Sequence, residues 1–275
     1  MTKKNLGKMH GHVARKRFGQ NFLHDPSIIS RIITAIRPRP EEHLIEIGPG
    51  LGALTEELLE GAGALDAVEL DRDLIPVLRT KFFMYGDKFQ IHEADALKFN
   101  FGELQNDARQ LRIVGNLPYN ISTPLIFHLL SFSGLISDMH FMLQKEVVER
   151  LAAQAGEPNY GRLGIMAQYY CRVDKLFLVP PGAFNPPPKV DSAIVRLTPY
   201  TELPLVAQDV TLLQDVVRMA FGQRRKTLRN NLKPLLSADQ LSEIGIDPSL
   251  RPERLELADF VKIADTVYQH RKQDK

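Results

Sequence analysis

Leu44-Ile45-Glu46-Ile47-Gly48-Pro49-Gly50-Leu51-Gly52 passes from a short apolar run into a glycine-rich turn. Leu44–Ile47 reads as a buried strand, and Leu51–Leu59 as a helix opening after Gly50. In an open α/β sheet, ligands bind at the carboxyl end of such a strand, against backbone N–H groups that start the next helix. The pattern continues along the chain. Asp66–Leu70 reads as a second strand, Leu74–Lys81 as a helix, and Phe89–His92 and Leu111–Val114 as strands three and four. Ser122 reads as the N-cap of a helix reaching Leu130, and Met139–Leu143 as a fifth strand. Val173–Val179 and Ala193–Leu197 read as two closing strands separated by a proline-rich loop. This alternation predicts a doubly wound, Rossmann-like α/β sheet with right-handed crossovers. Beyond Pro199, apolar residues at helical spacing (Leu212, Val216, Met219, then Leu228, Leu232, Leu235) predict a small all-helical C-terminal domain. The expected organisation is a basic arm over 1–24, an α/β domain over 25–200 and a helical domain over 201–275.

The ends of the first three strands suggest a nucleoside-containing ligand. Gly48 and Gly50 belong to a Gly-x-Gly-x-Gly spacing, not the Gly-x-Gly-x-x-Gly of dinucleotide sites, and Pro49 lacks the N–H that a pyrophosphate would use. That favours S-adenosylmethionine, whose linker requires close backbone approach and no phosphate cradle. Glu69 lies about twenty residues further on, at the end of strand two, where a carboxylate can accept both ribose hydroxyls. Asp95 follows strand three and can accept from an adenine amino group; alone, it would more often be a helix N-cap.

Strand four runs into Asn116-Leu117-Pro118-Tyr119, which resembles the Asn-x-Pro-Tyr tetrapeptide of methyltransferases that modify exocyclic amines. The residue types suit that chemistry. An adenine amine is a poor nucleophile because its lone pair is delocalised into the ring. Two acceptors, the Asn116 side-chain carbonyl and the Leu117 backbone carbonyl, would favour pyramidal nitrogen and free that pair. Pro118 restricts Leu117 to an extended conformation, and Tyr119 offers a flat face for a splayed-out base.

Composition sets the broad class. Of 275 residues, 44% are hydrophobic and 25% charged, as in ordinary globular proteins. Net charge is only +2, yet it is unevenly placed. Lys3, Lys4, Lys8, Arg15, Lys16 and Arg17 precede the first acid, Asp25; Arg218, Arg224, Arg225, Lys226, Arg229 and Lys233 form a second stretch free of acids. Two such clusters suit a polyanion, or two solvated faces. The single Cys171 permits no intrachain disulfide and fits a reducing compartment. No apolar run approaches the roughly 18 residues of a membrane span, and the basic N-terminus lacks a signal-peptide core. A cytoplasmic location is therefore expected. The eight histidines show no ligand-like spacing, so no metal site is expected.

Together with Glu46–Gly50 and Asn116–Tyr119, several further stretches carry a family resemblance. They are Arg15-Lys16-Arg17-Phe18-Gly19-Gln20-Asn21-Phe22-Leu23, Glu69-Leu70-Asp71, Met142-Leu143-Gln144-Lys145-Glu146-Val147, Val179-Pro180-Pro181-Gly182-Ala183-Phe184 and Phe221-Gly222-Gln223-Arg224-Arg225-Lys226-Thr227. Over nearly its whole length the chain resembles the bacterial small-subunit rRNA adenine N6,N6-dimethyltransferases. The resemblance implies four methyl transfers from S-adenosylmethionine to two adjacent adenosines in the 3′-terminal hairpin loop of small-subunit rRNA. It implies cofactor contacts from Asn21, Leu23, Gly48, Glu69, Asp95 and Asn116, with Gly50 in the same turn. Phe184, on the proline-rich loop, is expected either to sandwich the target base against Tyr119 or to plug the core beneath that loop. Arg15, Lys16, Arg17, Arg224, Arg225, Lys226 and Arg229 are expected to contact phosphates, with rRNA in a complete or partly assembled 30S subunit as partner. Alternatives are an Erm-like large-subunit rRNA methyltransferase, a DNA adenine methyltransferase and a ribosome-assembly checkpoint factor acting mainly by binding; a dehydrogenase is disfavoured by Pro49 and the tetrapeptide.

Overall fold

A computed structural model describes residues 8–9, 12–13, 21–223 and 225–273. Its main sheet has seven strands: β1 His43–Ile47, β2 Leu65–Glu69, β3 Phe89–Glu93, β4 Leu111–Asn116, β5 Ile136–Gln144, β6 Cys171–Val179 and β7 Ser192–Pro199. Their spatial order is β3-β2-β1-β4-β5-β7-β6. β1 to β5 are mutually parallel, and β7 runs antiparallel to β5. All five residues of β1 are buried, as are Leu111 to Gly115 of β4. Central parallel strands are covered on both faces, so they appear in sequence as near-continuous apolar runs. Across the first three strands, Asp66 pairs with His43 Nε2 at 2.8 Å and His92 Nε2 at 2.6 Å.

Helix α1, Pro26–Ile36, was not anticipated, although its start has a clear local cause. The Asp25 carboxylate accepts from the N–H groups of Ser27 and Ile28 at 2.9 and 3.3 Å, and Pro26 takes the first helical position. Ile28, Ile29, Ile32, Ile33 and Ile36 pack into the main core. Its carboxyl end is met by Arg112 of β4, which donates to Ile36 O at 2.7 Å and Arg37 O at 3.3 Å while pairing with Asp138 at 2.9 Å. Helix α2 covers Thr55–Ala62, a later start than the expected Leu51. Gly48, Gly50 and Gly52 have φ of +66°, +61° and +78°, a left-handed conformation that keeps the turn out of helix until Gly52 is passed. Helices α3, Leu74–Lys81, and α4, Ser122–Leu130, fall where expected. Ser122 does not cap α4, however; its hydroxyl donates to Tyr119 O at 3.2 Å.

The chain divides into two compact units, Met1–Val148 with Val173–Pro199, and Glu149–Arg172 with Tyr200–Lys275. Residues 149–172, assigned to the α/β domain from sequence, therefore fall with the helical unit. They include half of α5, Lys145–Ala152, and all of α6, Arg162–Tyr170, two helices not foreseen. α6 is buried on nearly every side, so it lacks the polar face that would mark its period. Tyr169 accepts from Ala207 N at 3.2 Å, and Tyr170 O accepts from Tyr200 N at 2.9 Å, tying this segment to the helices that follow. Those are α7 Val210–Ala220, α8 Leu228–Asn231, α9 Ala238–Glu243 and α10 Leu257–Gln273. Burial pushes the Cys171 thiol up to about 12, so it is an inert core group. No described helix is long and apolar enough to cross a membrane.

Candidate active site

The sheet changes direction at β1 and β4. From β1 the chain winds outward through β2 and β3, then returns to lay β4 on the other side of β1. The crevice at such a switch point is where open α/β sheets bind ligands. Ile47 pairs with Gly115, so the glycine turn after β1 and the tetrapeptide after β4 emerge side by side. The approach is close enough to require glycine at 115, where a Cβ would lie 2.8 Å from Ile47 O. A cavity of about 330 Å³ occupies the crevice, within the size range of small-molecule sites.

The glycine turn, Glu69 and Asp95 all line this cavity, as the sequence pattern predicted. Glu69 is 6% exposed, and its two oxygens accept from Gly50 N at 3.3 Å and Asp71 N at 2.8 Å. Burial raises its pKa, and those two N–H donors oppose the rise. A carboxylate has about four acceptor positions, so capacity remains for a ligand hydroxyl. Asp95 precedes a turn, not a helix, and its Oδ1 accepts from Leu97 N at 3.0 Å.

Glu46 was overlooked as a site residue. It also lines the cavity, is only 2% exposed, and accepts from Thr55 Oγ1 at 2.6 Å. Burial, reinforced by the neighbouring Glu69 charge, pushes its carboxyl up to about 7 despite that bond. The sequence signal was available: an acid inside an otherwise apolar strand must have a buried partner or a ligand. With Glu46, Glu69, Asp71 and Asp95 on its wall, the cavity favours a cationic ligand.

The tetrapeptide closes the other side. Asn116, Leu117, Pro118 and Tyr119 all line the cavity, as do Asn21 and Leu23 from the segment preceding α1. Asn116 Nδ2 donates to Asn21 O at 3.2 Å, which commits the amide nitrogen and leaves Oδ1 as the acceptor. Leu117 is anchored through its N–H to Met142 O at 3.2 Å. Tyr119 is half-buried, and its phenol pairs with Ser192 Oγ at 2.9 Å.

Other expected residues do not join this site. Phe184 is 3% exposed, pairs with Leu23 across a two-residue strand contact, and belongs to the main core. It does not line the cavity, so here it plugs the core. Arg15, Lys16, Arg17 and Arg224 lie outside the described residues. Arg225, Lys226 and Arg229 are exposed, and they do not share one helix. α7 ends at Ala220, and Arg225 and Lys226 sit in the turn before the four-residue α8, which carries Arg229. Among the described residues no group of three or more His, Cys, Asp or Glu is arranged to hold a metal ion.

The profile of the family described as ribosomal RNA adenine dimethylase matches residues 11–269. A Hahella chejuensis protein named ribosomal RNA small subunit methyltransferase A is 66% identical over 260 residues, spanning 94% of this chain and 95% of its own. The Pseudomonas aeruginosa protein of that name is 61% identical over 262 residues, spanning 95% and 97%. Among solved structures, a Plasmodium falciparum dimethyladenosine transferase matches with a TM-score of 0.77 and 29% identity, covering 92% of this chain and 98% of its own. The 23S rRNA methyltransferase ErmE matches with a TM-score of 0.70 at 24% identity, covering 90% and 100%, which is a likeness of fold. With a profile spanning nearly the whole chain and relatives above 60% identity, this protein belongs to the ribosomal RNA adenine dimethylase family.

Proposed function

We propose that the protein transfers methyl groups from S-adenosylmethionine to the N6 amines of two adjacent adenosines in the 3′-terminal hairpin loop of small-subunit rRNA. The observation that carries this reading is the meeting of Asn116–Tyr119 with the glycine turn and Glu69 on one cavity, with the Asn116 nitrogen already committed to Asn21 O. The cavity residues fit the cofactor. Pro49 offers no N–H to a phosphate, the glycines allow close approach, and the acidic wall suits a cation. When bound, S-adenosylmethionine supplies an electrophilic methyl group on a sulfonium.

The protein's own work is alignment and electrostatics. Asn116 Oδ1 and Leu117 O accept from the two N–H groups of the target amine and stabilise the positive charge that develops as nitrogen attacks. Tyr119 supplies the face on which the base stacks once it leaves its RNA neighbours, a step that costs less in a loop than in a duplex. No covalent enzyme intermediate is required. The monomethylated amine keeps one N–H, so a single acceptor serves the second transfer. The names of the curated relatives favour the small over the large ribosomal subunit as the source of the RNA. Mapping dimethyladenosine in rRNA from cells with and without the gene tests the assignment; an unchanged small-subunit pattern would refute it.

Two partial tests separate cofactor from RNA. Glu69→Ala should weaken S-adenosylmethionine binding by about 1.5–3 kcal/mol, the usual range for hydrogen bonds to a charged group. Calorimetry measures it, and unchanged affinity in a variant with native circular dichroism would place the ribose elsewhere. Replacing Arg225, Lys226 and Arg229 with glutamine should weaken RNA binding and flatten the plot of log affinity against log salt by a little under one unit per lost phosphate contact. Cofactor affinity should not change. A wild-type slope would make these exposed cations a solvated surface only.

A further inference from the structure

We propose that Ser192 is a positioning residue for methyl transfer: its buried hydroxyl holds the Tyr119 phenol and so fixes the plane of the ring on which the target base stacks. The inference rests on the adenine methyl-transfer reading and adds a residue from a different strand to it. The two oxygens lie 2.9 Å apart. Ser192 is 0% exposed, and a hydroxyl removed from water is unfavourable unless it is hydrogen-bonded, so alanine would suit a purely packing role at this position better. Burial raises the Tyr119 pKa, keeping the phenol protonated, and either oxygen can donate.

What makes Ser192 a useful anchor is its own rigidity. It begins β7 and pairs directly with Gln144 of β5, while the carbonyl of the preceding Asp191 accepts from Lys145 N at 3.0 Å. The hydroxyl is thus carried by the sheet and not by the proline-rich loop before it. Tyr119, in contrast, sits in the turn between β4 and α4, where an aromatic side chain retains two free torsions. The Ser122 hydroxyl holds its backbone carbonyl at 3.2 Å, and Ser192 holds the far end of its ring. Clamped at both ends, the ring presents one plane, and that plane sets the distance and angle between a stacked adenine and the acceptors on Asn116 and Leu117. Reacting geometry is unforgiving, since displacement by about 1 Å can cost two orders of magnitude in rate.

The test is a double-mutant cycle on single-turnover methyl transfer to unmethylated small subunits at saturating S-adenosylmethionine, using the full-length protein. Ser192→Ala and Tyr119→Phe should each slow transfer by about tenfold, and the double variant should be no slower than either single one. Cofactor affinity should stay within about twofold of wild type in all three, and Ser192→Thr, which restores the hydroxyl, should recover most of the rate. Losses that multiply to about a hundredfold would show that the two hydroxyls act independently and would overturn the proposal, as would a wild-type rate in Ser192→Ala. Should Ser192→Ala fail to fold, Tyr119→Phe decides alone, because it keeps ring and strand and removes only the anchor. A tenfold loss supports the clamp and a wild-type rate refutes it. Transfer by the wild-type protein tests the functional reading separately, so a failed clamp leaves that reading intact.

Discussion

Asn116→Ala should lower the single-turnover rate of methyl transfer by about a hundredfold, roughly 3 kcal/mol of transition-state stabilisation, while RNA affinity stays near wild type. In the proposed mechanism its side-chain carbonyl acts on the reacting amine and not on the RNA backbone. The structure sharpens the expectation. Asn116 Nδ2 donates to Asn21 O, so the acceptor is held in place by a donor on the same group. Asn116→Asp keeps an acceptor but loses that donor and sets a carboxylate against a carbonyl, so it should be as slow as the alanine variant. Rapid-quench measurement of transfer and anisotropy measurement of RNA binding check both. An aspartate variant at the wild-type rate would show that the Asn21 bond does not matter, and an alanine variant at that rate would remove Asn116 from the chemistry.

Glu46→Gln should stabilise the protein against unfolding at pH 8 and have little effect at pH 4.5. The Glu46 carboxyl titrates at about 7 in the folded chain, against an ordinary value of 4.5, because burial disfavours its charge. A raised carboxyl pKa means the folded state holds a proton that the unfolded state has released. The associated stability is fully present below 4.5 and is lost as pH rises through about 7. Above that pH the buried charge costs about 3 kcal/mol, on the scale of 1.36 kcal/mol per unit of pKa. Glutamine cannot ionise and can still accept from Thr55 Oγ1, so the variant escapes the cost. Urea unfolding of both proteins at the two pH values measures the difference between them, in which titrations not coupled to Glu46 cancel. Equal differences at both would mean that Glu46 is not perturbed.

Much of this site was legible because its parts are local. The glycine turn, Glu69, Asp95 and the tetrapeptide each follow an apolar run, and a parallel sheet brings the carboxyl ends of its strands to one edge. The Glu46 signal was also present, as an acid within Leu44–Ile47, yet its consequence depends on depth of burial, which no tetrapeptide reveals. Helix α6 was missed because a helix buried on nearly every side shows no polar period. Arg225 and Lys226 lie between two apolar patterns of helical spacing, and the structure shows a turn there after α7 ends.

The sequence by itself determined where the strands lie, that the sheet is doubly wound, and which residue types stand at the ends of its central strands. Those properties follow from hydrophobic period, glycine conformation and proline geometry, all of which act within a few residues. Only the tertiary structure decided that Asn21 holds Asn116 across 95 residues, that Ser192 reaches Tyr119 across 73, and that Phe184 is buried in the core. Such contacts depend on strand register and on how side chains share one interior. Both are set by the packing of the whole chain, and a shift of one residue in register would reverse which face each side chain occupies.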